Sequence, residues 1–490
     1  MKTPADAVTV PVMFTAEPIR SVHFLGICGT AMAAVAAQLK QRGLRVTGSD
    51  ENVYPPMSTF LADQGITALS PYAGANLDAV GKPDLIVIGN VISRGNPEVE
   101  AVLERRLRYA SLPDVIREFL IRGRTSVVVT GTHGKTTTTS LLAWTFQHAG
   151  LAPGYMIGGI PLNLGNGCAC PTPNSHLPSP TSYFIIEGDE YDTAFFDKRS
   201  KFVHYLPDTV IINNIEFDHA DIFPGIADIK LTFRRLVNIV PRNGLVLANG
   251  DDPNVREVIA NAPCPVKTFG LGPDNDFRAT NLTLAADGST FTLHAPRATL
   301  HVPLLGEHNV RNALAVAAAS LHHGLPPDQI QAAFTGFRGI KRRQEIRGVA
   351  AGVTIVDDFG HHPTAIRETI RAFRVRFPGQ RLWAVFEPRS NTTRRCVFQK
   401  ELAESLAEAD GVFVSKVNRL EELPEHERLS PEKLVADIAA HGRPAHYLAD
   451  ADAIIAALLP QLRPNDVVAV FSNGGFGGIH AKLLSALQAR

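Results

Sequence analysis

The chain has 490 residues, of which 45% are hydrophobic, so it can form several cores and about three domains of roughly 150 residues each. Its 48 Lys and Arg balance its 48 Asp and Glu, and a neutral chain has no long-range attraction for a polyanion, so nucleic acid is not an expected partner. No apolar run is long enough for a membrane span, so we do not expect the chain to insert into a membrane.

The first 20 residues, MKTPADAVTVPVMFTAEPIR, contain only a short apolar patch. They lack the apolar core of a signal peptide and the Arg-rich pattern of a transit peptide, so we expect a flexible leader or an extra edge segment over residues 1–20. The cysteines form no Cys-x-x-Cys pair and no even framework, and they lie at positions 28, 168, 170, 264 and 396. This usage is typical of a reducing, cytoplasmic compartment.

The first predicted unit, residues 21–122, alternates strands and helices. VHFLG, LRVTGSD and PDLIVIGN are expected strands, and TAMAAVAAQLKQRG is an Ala-rich helix, which together predict a parallel, doubly wound sheet. Gly26 and Gly29 open the first helix, and Asp50 follows the second strand. Cys28 stands where a G-x-G-x-x-G loop has its middle glycine, and its side chain would crowd a dinucleotide pyrophosphate. An NAD site is therefore a weaker alternative here, and a nucleophilic role for Cys28 is weaker still.

The central unit, residues 123–336, begins with VVVTGTHGKTTTT, which runs from Val127 to Thr139. A Gly-rich turn between a strand and a helix, followed by Lys and Thr, indicates a phosphate-binding loop. Lys135 is expected to reach the β- and γ-phosphates, and the Thr136 hydroxyl is expected to bind Mg²⁺. Val129 breaks the full G-x-x-x-x-G-K-[ST] pattern, but the shorter form keeps the residues that contact phosphate. The alternative is a solvated turn that happens to contain Gly and Lys.

Two further strands of this unit end in polar side chains. Glu187 ends SYFIIEG, and His219 follows TVIINNI within NNIEFDHADIF. Open α/β sheets bind ligands at the carboxyl ends of their strands, so both side chains are expected near the phosphates. A carboxylate suits Mg²⁺, whereas His is an uncommon ligand of hard cations and more often a satisfied hydrogen-bonding group. Metal is expected because an anion that attacks a triphosphate meets a repulsion of about 5 kcal/mol per charge pair at about 3 Å.

The rest of the chain predicts a β-rich region over residues 265–305, a helix over residues 308–324 and an exposed insertion rich in Pro, Ser and Asn over residues 164–181. The third unit, residues 337–490, again alternates strands such as VTIVDDFG, RLWAVFEP and DVVAVFSNGG with helices. This alternation predicts a second Rossmann-like sheet.

Five motifs in this order, GTHGKTTTT, EGDEYD, NNIEFDHADIF, GEHNVRNALAV and VDDFGHHPTAI, resemble those of the Mur ligases of bacterial cell-wall synthesis, and the resemblance covers nearly the whole chain. It implies an α/β fold with a Rossmann-like N-terminal domain that binds a UDP sugar, a central P-loop ATPase domain and a Rossmann-like C-terminal domain. GSDENVYPPMST, GNPEVEAVLE, AFFDKRSKFVHY, EPRSNT and SNGGFGGIH resemble the branch that recycles murein peptides more than the branch that adds L-alanine.

The resemblance also implies the reaction, in which ATP and Mg²⁺ are the expected cofactors. The substrates would be UDP-N-acetylmuramate and the murein tripeptide L-alanyl-γ-D-glutamyl-meso-diaminopimelate, joined through an acyl phosphate. Two alternatives stay open. The first is the UDP-N-acetylmuramate–L-alanine ligase of the same family, and the second is a nucleotide-regulated binding protein with a redundant phosphate loop.

Individual roles follow from the resemblance in three groups. The expected catalytic residues are Lys135, Glu187, His219, Arg343 and Asp358, with Thr136, Glu187 and His219 as metal ligands. The expected nucleotide contacts are Gly131, Thr132, His133, Gly134, Lys135, Thr136, Thr137, His308, Asn309, Asn312, Arg343 and Asp358, with His361 adjacent. The expected substrate contacts are Gly26, Gly29, Thr30, Asp50, Ser93, Asn96, Arg389, Ser390 and Asn391.

Three details qualify these roles. Asn309 and Asn312 could instead only cap a helix. Arg343 and Asp358 lie beyond the central unit, so a hinge near residues 335–340 is expected to bring them to ATP. Phe233 and Arg234 occupy the spacing at which several relatives carry a carbamoylated Lys, so no such modification is expected.

The EPRSNT segment carries the prediction about substrate choice. Arg389 follows a strand of the third unit, and its planar guanidinium suits a carboxylate of the tripeptide. The SNGGFGGIH loop, residues 472–480, is expected to line the same pocket, because its glycines allow close approach of a long ligand. The alternative is a plain turn with a solvated Arg389.

Overall fold

The computed structural model describes residues 18–171 and 182–490 of the chain. Most of the predicted leader and residues 172–181 of the predicted insertion therefore lie outside the described residues. Three main sheets of five, ten and six strands fall within the three predicted units, which confirms the α/β fold class with Rossmann-like parallel sheets. Within the described ranges, no helix is both long and apolar enough to cross a membrane.

The N-terminal sheet has the strand order β3-β2-β1-β4-β5, and all its pairs are parallel. Its strands are β1 (Ser21–Leu25), β2 (Arg45–Ser49), β3 (Thr67–Leu69), β4 (Leu85–Ile88) and β5 (Tyr109–Ser111). Its helices are α1 (Thr30–Gln41), α2 (Met57–Asp63), α3 (Asn76–Ala79), α4 (Pro97–Glu104) and α5 (Leu112–Val115), the last continuing as a π-helical segment, Ile116–Ile121. Every residue of β1 and β4 is buried, as a strand covered by helices on both faces requires.

The central sheet has the order β17-β16-β15-β14-β13-β12-β6-β9-β7-β8. Its strands are β6 (Thr125–Thr130), β7 (Gly154–Met156), β8 (Cys168–Ala169), β9 (Tyr183–Glu187), β12 (Thr209–Ile212), β13 (Leu245–Asn249), β14 (Val266–Gly270), β15 (Phe277–Ala285), β16 (Gly288–Leu293) and β17 (Ala298–Val302), while β10 (Asp192–Ala194) and β11 (Asp197–Ser200) form a separate hairpin. Its helices are α6 (Lys135–His148), α7 (Ile226–Asn238), α8 (Pro253–Ile259), α9 (Glu307–His322) and α10 (Pro327–Thr335). Strands β13, β12, β6 and β9 are mutually parallel, so their carboxyl ends share one edge.

The C-terminal sheet has the order β18-β19-β23-β20-β21-β22. Its strands are β18 (Glu345–Ala350), β19 (Val353–Asp358), β20 (Leu382–Phe386), β21 (Gly411–Ser415), β22 (Ala445–Leu448) and β23 (Val467–Phe471). Its helices are α11 (Pro363–Arg376), α12 (Gln399–Leu406), α13 (Pro431–Ala440), α14 (Ala451–Leu458) and α15 (Ile479–Gln488). Only β18 is antiparallel to its neighbour, which leaves a parallel core whose carboxyl edge faces the central unit.

The structure adds detail at two segments with a sequence-based expectation. Within the predicted insertion, β8 pairs with β7, and Cys170 is buried and bonded to Arg42 of the N-terminal unit, so residues 164–171 are not simply exposed. The segment 335–340, where a hinge is expected, is hydrogen-bonded to the central unit, because Gly339 O accepts from Leu162 N at 3.0 Å and Lys341 N donates to Ile160 O at 3.1 Å. The hinge stays a prediction.

Candidate functional site

One cavity of about 1560 Å³ lies where the three units meet. The N-terminal unit contributes Gly29 and Thr30, the central unit contributes the phosphate loop, and the C-terminal unit contributes Arg343 and Asp358. Residues that were predicted as catalytic, as nucleotide contacts and as substrate contacts therefore line the same cavity. Such a cavity between domains is the usual location of a small-molecule site.

The phosphate loop forms because β6 ends in a turn that only glycine accommodates well. Gly131 has φ +133°, and Gly134 has φ +77° and is the N-cap of α6. A Cβ on Gly134 would lie 2.5 Å from Asn312 Oδ1, which is too close for any side chain at this position. The loop is fixed from the other side by Asn214, whose Oδ1 accepts from His133 N at 2.8 Å. The positive end of α6 consequently points into the cavity.

Lys135 is paired with a carboxylate that was not singled out from the sequence. Its Nζ lies 2.9 Å from Glu190 Oε2 and donates to Gly131 O at 2.7 Å. The other Glu190 oxygen lies 3.1 Å from His219 Nε2, and Glu190 is only 2% exposed. Glu190 thus contacts both Lys135 and His219, which were predicted as separate site residues. EGDEYD contains four acidic residues, and the sequence offered no local signal for which of them turns inward.

The protonation states of this cluster support one another. Burial disfavours the charged Lys135 ammonium, but Glu190 and Asp189 outweigh burial and raise the pKa of Lys135. Burial likewise opposes the His219 imidazolium, and the Glu190 and Asp218 carboxylates overcome it and raise the pKa of His219 to about 9. For Glu190, burial favours the neutral acid, but Lys135 and His219 lower its pKa. A cation that binds His219 must therefore displace its proton.

The residues expected to hold Mg²⁺ fit that ion by donor type. The Thr136 hydroxyl donates to Glu187 Oε1 at 3.0 Å, and the second Glu187 oxygen accepts from Gly158 N at 2.8 Å. A second set of possible ligand atoms, on Asp189, Glu190 and His219, lies within 4.8 Å of one another. Most of these donors are hard oxygens of the kind that Mg²⁺ prefers.

A third cluster, His133, Glu216 and His362, also brings possible ligand atoms together. Both ring nitrogens of His362 are already engaged, with Phe217 O at 3.1 Å and with Thr364 N at 3.2 Å. Burial and the nearby His133 lower the pKa of His362 to about 3, so this ring is neutral. The Thr364 hydroxyl donates to Glu216 at 2.6 Å. The cluster therefore caps α11 and attaches it to the central unit.

The expected nucleotide contacts on α9 line the cavity and are bonded to one another. Asn309 Nδ2 donates to Leu305 O at 2.8 Å, and Asn312 Nδ2 donates to Asn309 Oδ1 at 3.0 Å. His308 lies 3.1 Å from Glu368 of α11. These bonds fix the side chains in place against Gly134, so helix support and nucleotide contact are compatible roles for the two asparagines.

Arg343 of the C-terminal unit reaches the start of α6 beside the phosphate loop. Its Nη2 donates to Thr136 Oγ1 at 3.3 Å, and its guanidinium lies 4.9 Å from the centre of the Phe359 ring. Asp358 is held from two sides, because it accepts from Gln344 N before β18 at 2.9 Å and from Gly360 N in its own loop at 2.8 Å. Burial raises the pKa of Asp358 despite the nearby Arg343. Both side chains line the cavity, and their contact with a nucleotide stays a prediction.

The expected contacts of the N-terminal unit are divided. Gly29 and Thr30 line the cavity together with Asn90. Asp50 accepts from Cys28 N at 2.9 Å, and Asn96 caps α4 by accepting from Glu98 N at 2.9 Å, while contact of either with substrate stays a prediction. Among the described residues of the N-terminal unit, four predicted contacts are not part of the cavity wall, and these are Gly26, Asp50, Ser93 and Asn96. Asp50 and Asn96 shape the loops behind the cavity.

The EPRSNT turn lies beside the SNGGFGGIH loop, as expected, but outside the described cavity wall. A Cβ on Gly474 would lie 2.5 Å from Arg389 Cδ, so the two segments touch. The half-exposed Arg389 guanidinium lies 3.6 Å from Glu387. Ser390 bonds Thr393 within the turn, and Asn391 Nδ2 donates to Asp221 Oδ2 of the central unit at 2.7 Å. Contact of these three residues with a peptide stays a prediction.

The comparisons with known proteins agree with this architecture. Three family models match in order, "Mur ligase family, catalytic domain" at residues 21–124, "Mur ligase middle domain" at residues 129–320 and "Mur ligase, glutamate ligase domain" at residues 342–474. The UDP-N-acetylmuramate–L-alanyl-γ-D-glutamyl-meso-2,6-diaminoheptandioate ligase of Escherichia coli is 43% identical over 471 residues, covering 96% of this chain and 98% of that protein.

Two further similarities separate the branches of the family. A crystal structure of a murein peptide ligase from Psychrobacter arcticus has 37% sequence identity and a TM-score of 0.71, and the match covers 96% of this chain and 99% of that one. The UDP-N-acetylmuramate–L-alanine ligase of Variovorax paradoxus is 32% identical over 494 residues, covering 96% of both chains. Similarity is thus higher to the tripeptide-adding relatives than to this L-alanine ligase.

Proposed function

The chain belongs to the Mur ligase family, and from that premise we propose that it is an ATP-dependent ligase that joins UDP-N-acetylmuramate to L-alanyl-γ-D-glutamyl-meso-diaminopimelate in the cytoplasm. The observation that carries this proposal is the shared cavity, in which the N-terminal Gly29 turn, the Lys135 loop and Arg343 of the C-terminal unit meet. A ligase with three substrates needs such a cavity, because each unit can then bind one substrate next to the other two. The greater similarity to tripeptide ligases favours the tripeptide over free L-alanine.

The central unit would bind ATP and neutralise its phosphates. Lys135 holds Glu190 at 2.9 Å in the structure, so the β- and γ-phosphates would compete with that carboxylate for the ammonium group. Arg343 adds a second positive charge beside Thr136. Thr136, Glu187 and His219 would hold Mg²⁺, which when bound reduces the repulsion between the triphosphate and an attacking carboxylate.

The chemistry then follows from charge and leaving-group quality. The lactyl carboxylate of the muramate attacks the γ-phosphorus, the bond to the β-phosphate oxygen breaks, and ADP leaves. The resulting acyl phosphate is attacked by the peptide amine, the C–O bond breaks, and phosphate leaves as the amide forms. A free carboxylate does not accept an amine at neutral pH, and phosphorylation removes that obstacle. The N-terminal unit, residues 21–122, would hold the UDP sugar, and the C-terminal unit, residues 337–490, would hold the peptide.

The proposal is tested by measuring ADP release from the full-length protein with ATP, Mg²⁺ and UDP-N-acetylmuramate. Addition of the tripeptide is expected to start steady turnover, whereas L-alanine at the same concentration gives little. Turnover with L-alanine at a rate similar to that of the tripeptide would favour the L-alanine ligase. Tight nucleotide binding without ADP release in either mixture would favour a binding protein. Mass spectrometry of the product identifies the amide in the first case.

A further inference from the structure

The backbone at His219 is held in an uncommon conformation. Its φ is +54°, in the left-handed region that residues with a Cβ rarely adopt. His219 follows β12 by seven residues and presents its ring to Glu190 and, edge-on, to Tyr191 at 5.1 Å between ring centres. A left-handed residue at a functional position persists only when its neighbours determine it. Within the central unit its carbonyl oxygen accepts from Ile222 N at 2.9 Å and from Phe223 N at 3.0 Å, and the residues on either side of it also contact another unit.

One hydroxyl of the C-terminal unit is bonded on both sides of His219. Thr392 Oγ1 donates to Asp218 Oδ1 at 2.7 Å and accepts from Ala220 N at 3.3 Å. The same Asp218 oxygen also accepts from His219 N at 2.7 Å. Thr392 is 2% exposed, so water does not compete for these bonds. The residue before His219 and the residue after it are therefore fixed to a single atom.

A second contact from the same turn extends this attachment. Asn391 Nδ2 donates to Asp221 Oδ2 at 2.7 Å, and the Tyr191 hydroxyl donates to the same carboxylate oxygen. Tyr191 is the residue whose ring meets the His219 ring. Asn391 thus supports His219 from the side of its imidazole, while Thr392 supports it through the backbone.

The turn that carries these two residues is rigidly connected to its own unit. Arg394 donates to Asn391 Oδ1 at 2.8 Å and to Arg419 O at 3.0 Å. Ser390 and Thr393 are bonded to each other at 2.8 Å within the turn. Any displacement of the C-terminal unit relative to the central unit would therefore withdraw Thr392 and Asn391 from the His219 segment.

We propose that Thr392 and Asn391 are positioning residues for phosphoryl transfer, which hold His219 in its working conformation only while the C-terminal unit is docked. The inference rests on the proposed function, and it adds a coupling between units that the function alone does not require. The same turn carries Arg389, the predicted peptide contact, three residues before Thr392. Docking of the peptide-binding unit and completion of the phosphate site become one event. The acyl phosphate then forms when the peptide amine is already bound nearby, so less of the acyl phosphate is hydrolysed by water.

The chain offers a matched control for this proposal. Thr393 is as buried as Thr392 and adjoins it, but among the residues that the structure describes its hydroxyl bonds only to Ser390, within the turn. Thr392→Val and Thr393→Val each replace a hydroxyl by a methyl in the same environment. Only the first substitution removes bonds to the His219 segment. Thr392→Ser keeps the hydroxyl and serves as the conservative variant.

The kinetic test measures kcat and KM for all three substrates in the full-length protein. Thr392→Val is expected to lower kcat by about 10- to 100-fold, the effect of losing a buried hydrogen bond to a charged group. The KM for UDP-N-acetylmuramate should stay within about twofold, since the N-terminal unit is not touched, and Thr392→Ser should restore most of kcat. Equal kcat values in Thr392→Val and Thr393→Val would overturn the proposal.

Amide hydrogen exchange gives a readout that does not depend on activity. Residues 217–223 are expected to exchange at least about 10-fold faster in Thr392→Val than in Thr393→Val, because the left-handed segment loses its support. Asn391→Ala should act in the same direction and replaces Thr392→Val if that variant does not fold. Unchanged exchange in this segment would overturn the proposal even if the wild-type protein were inactive with the tripeptide, whereas that inactivity alone would count only against the proposed function.

Discussion

Gly134→Ala tests whether the phosphate loop depends on one close approach between the loop and α9. Gly134 has φ +77°, and a Cβ there would lie 2.5 Å from Asn312 Oδ1 and 3.1 Å from Asn213 Nδ2. The left-handed backbone costs about 1–2 kcal/mol with any L-side chain. The contact at 2.5 Å must also be relieved, and moving Asn312 breaks its buried bond to Asn309, which adds about 1 kcal/mol. The expected destabilisation is therefore about 2–3 kcal/mol in total.

Gly150→Ala separates these two terms. Gly150 follows the other end of α6 with φ +79°, and a Cβ there meets nothing within 4 Å. It should carry the backbone cost alone and leave ATP affinity within about twofold. Gly134→Ala should weaken ATP binding by about fivefold, because the close approach adds about 1 kcal/mol and 1.4 kcal/mol corresponds to tenfold in affinity. Calorimetric titration with ATP and Mg²⁺, together with urea unfolding, measures both effects. Equal ATP affinities in the two variants would refute the role given to the close approach.

Further substitutions examine the remaining parts of the site. Lys135→Ala should abolish ligation and leave UDP-N-acetylmuramate binding largely intact, and calorimetry showing both ligands lost in a folded variant would contradict the division of labour between units. Glu190→Gln should destabilise the central unit by about 3 kcal/mol at pH 7, because Lys135 and His219 lose their buried counter-charge; an unchanged urea midpoint would argue against that pairing. Arg389→Ala should lower kcat/KM for the tripeptide by about 10- to 150-fold, equivalent to about 1.5–3 kcal/mol, without changing ATP affinity. A kcat/KM within twofold of wild type would remove Arg389 from the peptide site. Burial, with repulsion from the neighbouring His322, lowers the pKa of His323 to about 4. The unfolded chain then binds more protons at His323 between about pH 6.5 and 4, so this residue alone should contribute about 2 kcal/mol to the loss of unfolding free energy from pH 7 to pH 5; a His323→Gln variant with the same pH slope as the wild type would disprove this source.

The sequence determined the features that depend on neighbouring residues. The runs of buried β-branched residues in VVVTG and FIIEG predicted β6 and β9, and the Gly-rich turn before Lys135 predicted the phosphate loop. The alternation of strands and helices indicated three α/β units, and the order of the motifs indicated the family, which the comparisons confirm. These features can be read from the chain because hydrogen-bond patterns, turn conformations and burial periods are local.

Only the tertiary structure decided which side chains meet across the chain. Glu190 is separated from Lys135 by 55 positions, and Thr392 is separated from Asp218 by 174, so no local pattern indicates either contact. Asn96 caps α4, a role that suits an Asn before Pro97, while its predicted contact with substrate stays a prediction. Whether an acidic residue after a strand turns inward depends on the turn conformation and on the positively charged side chains that the fold places nearby. Lys135 and His219 supply those charges for Glu190, and only folding brings them together.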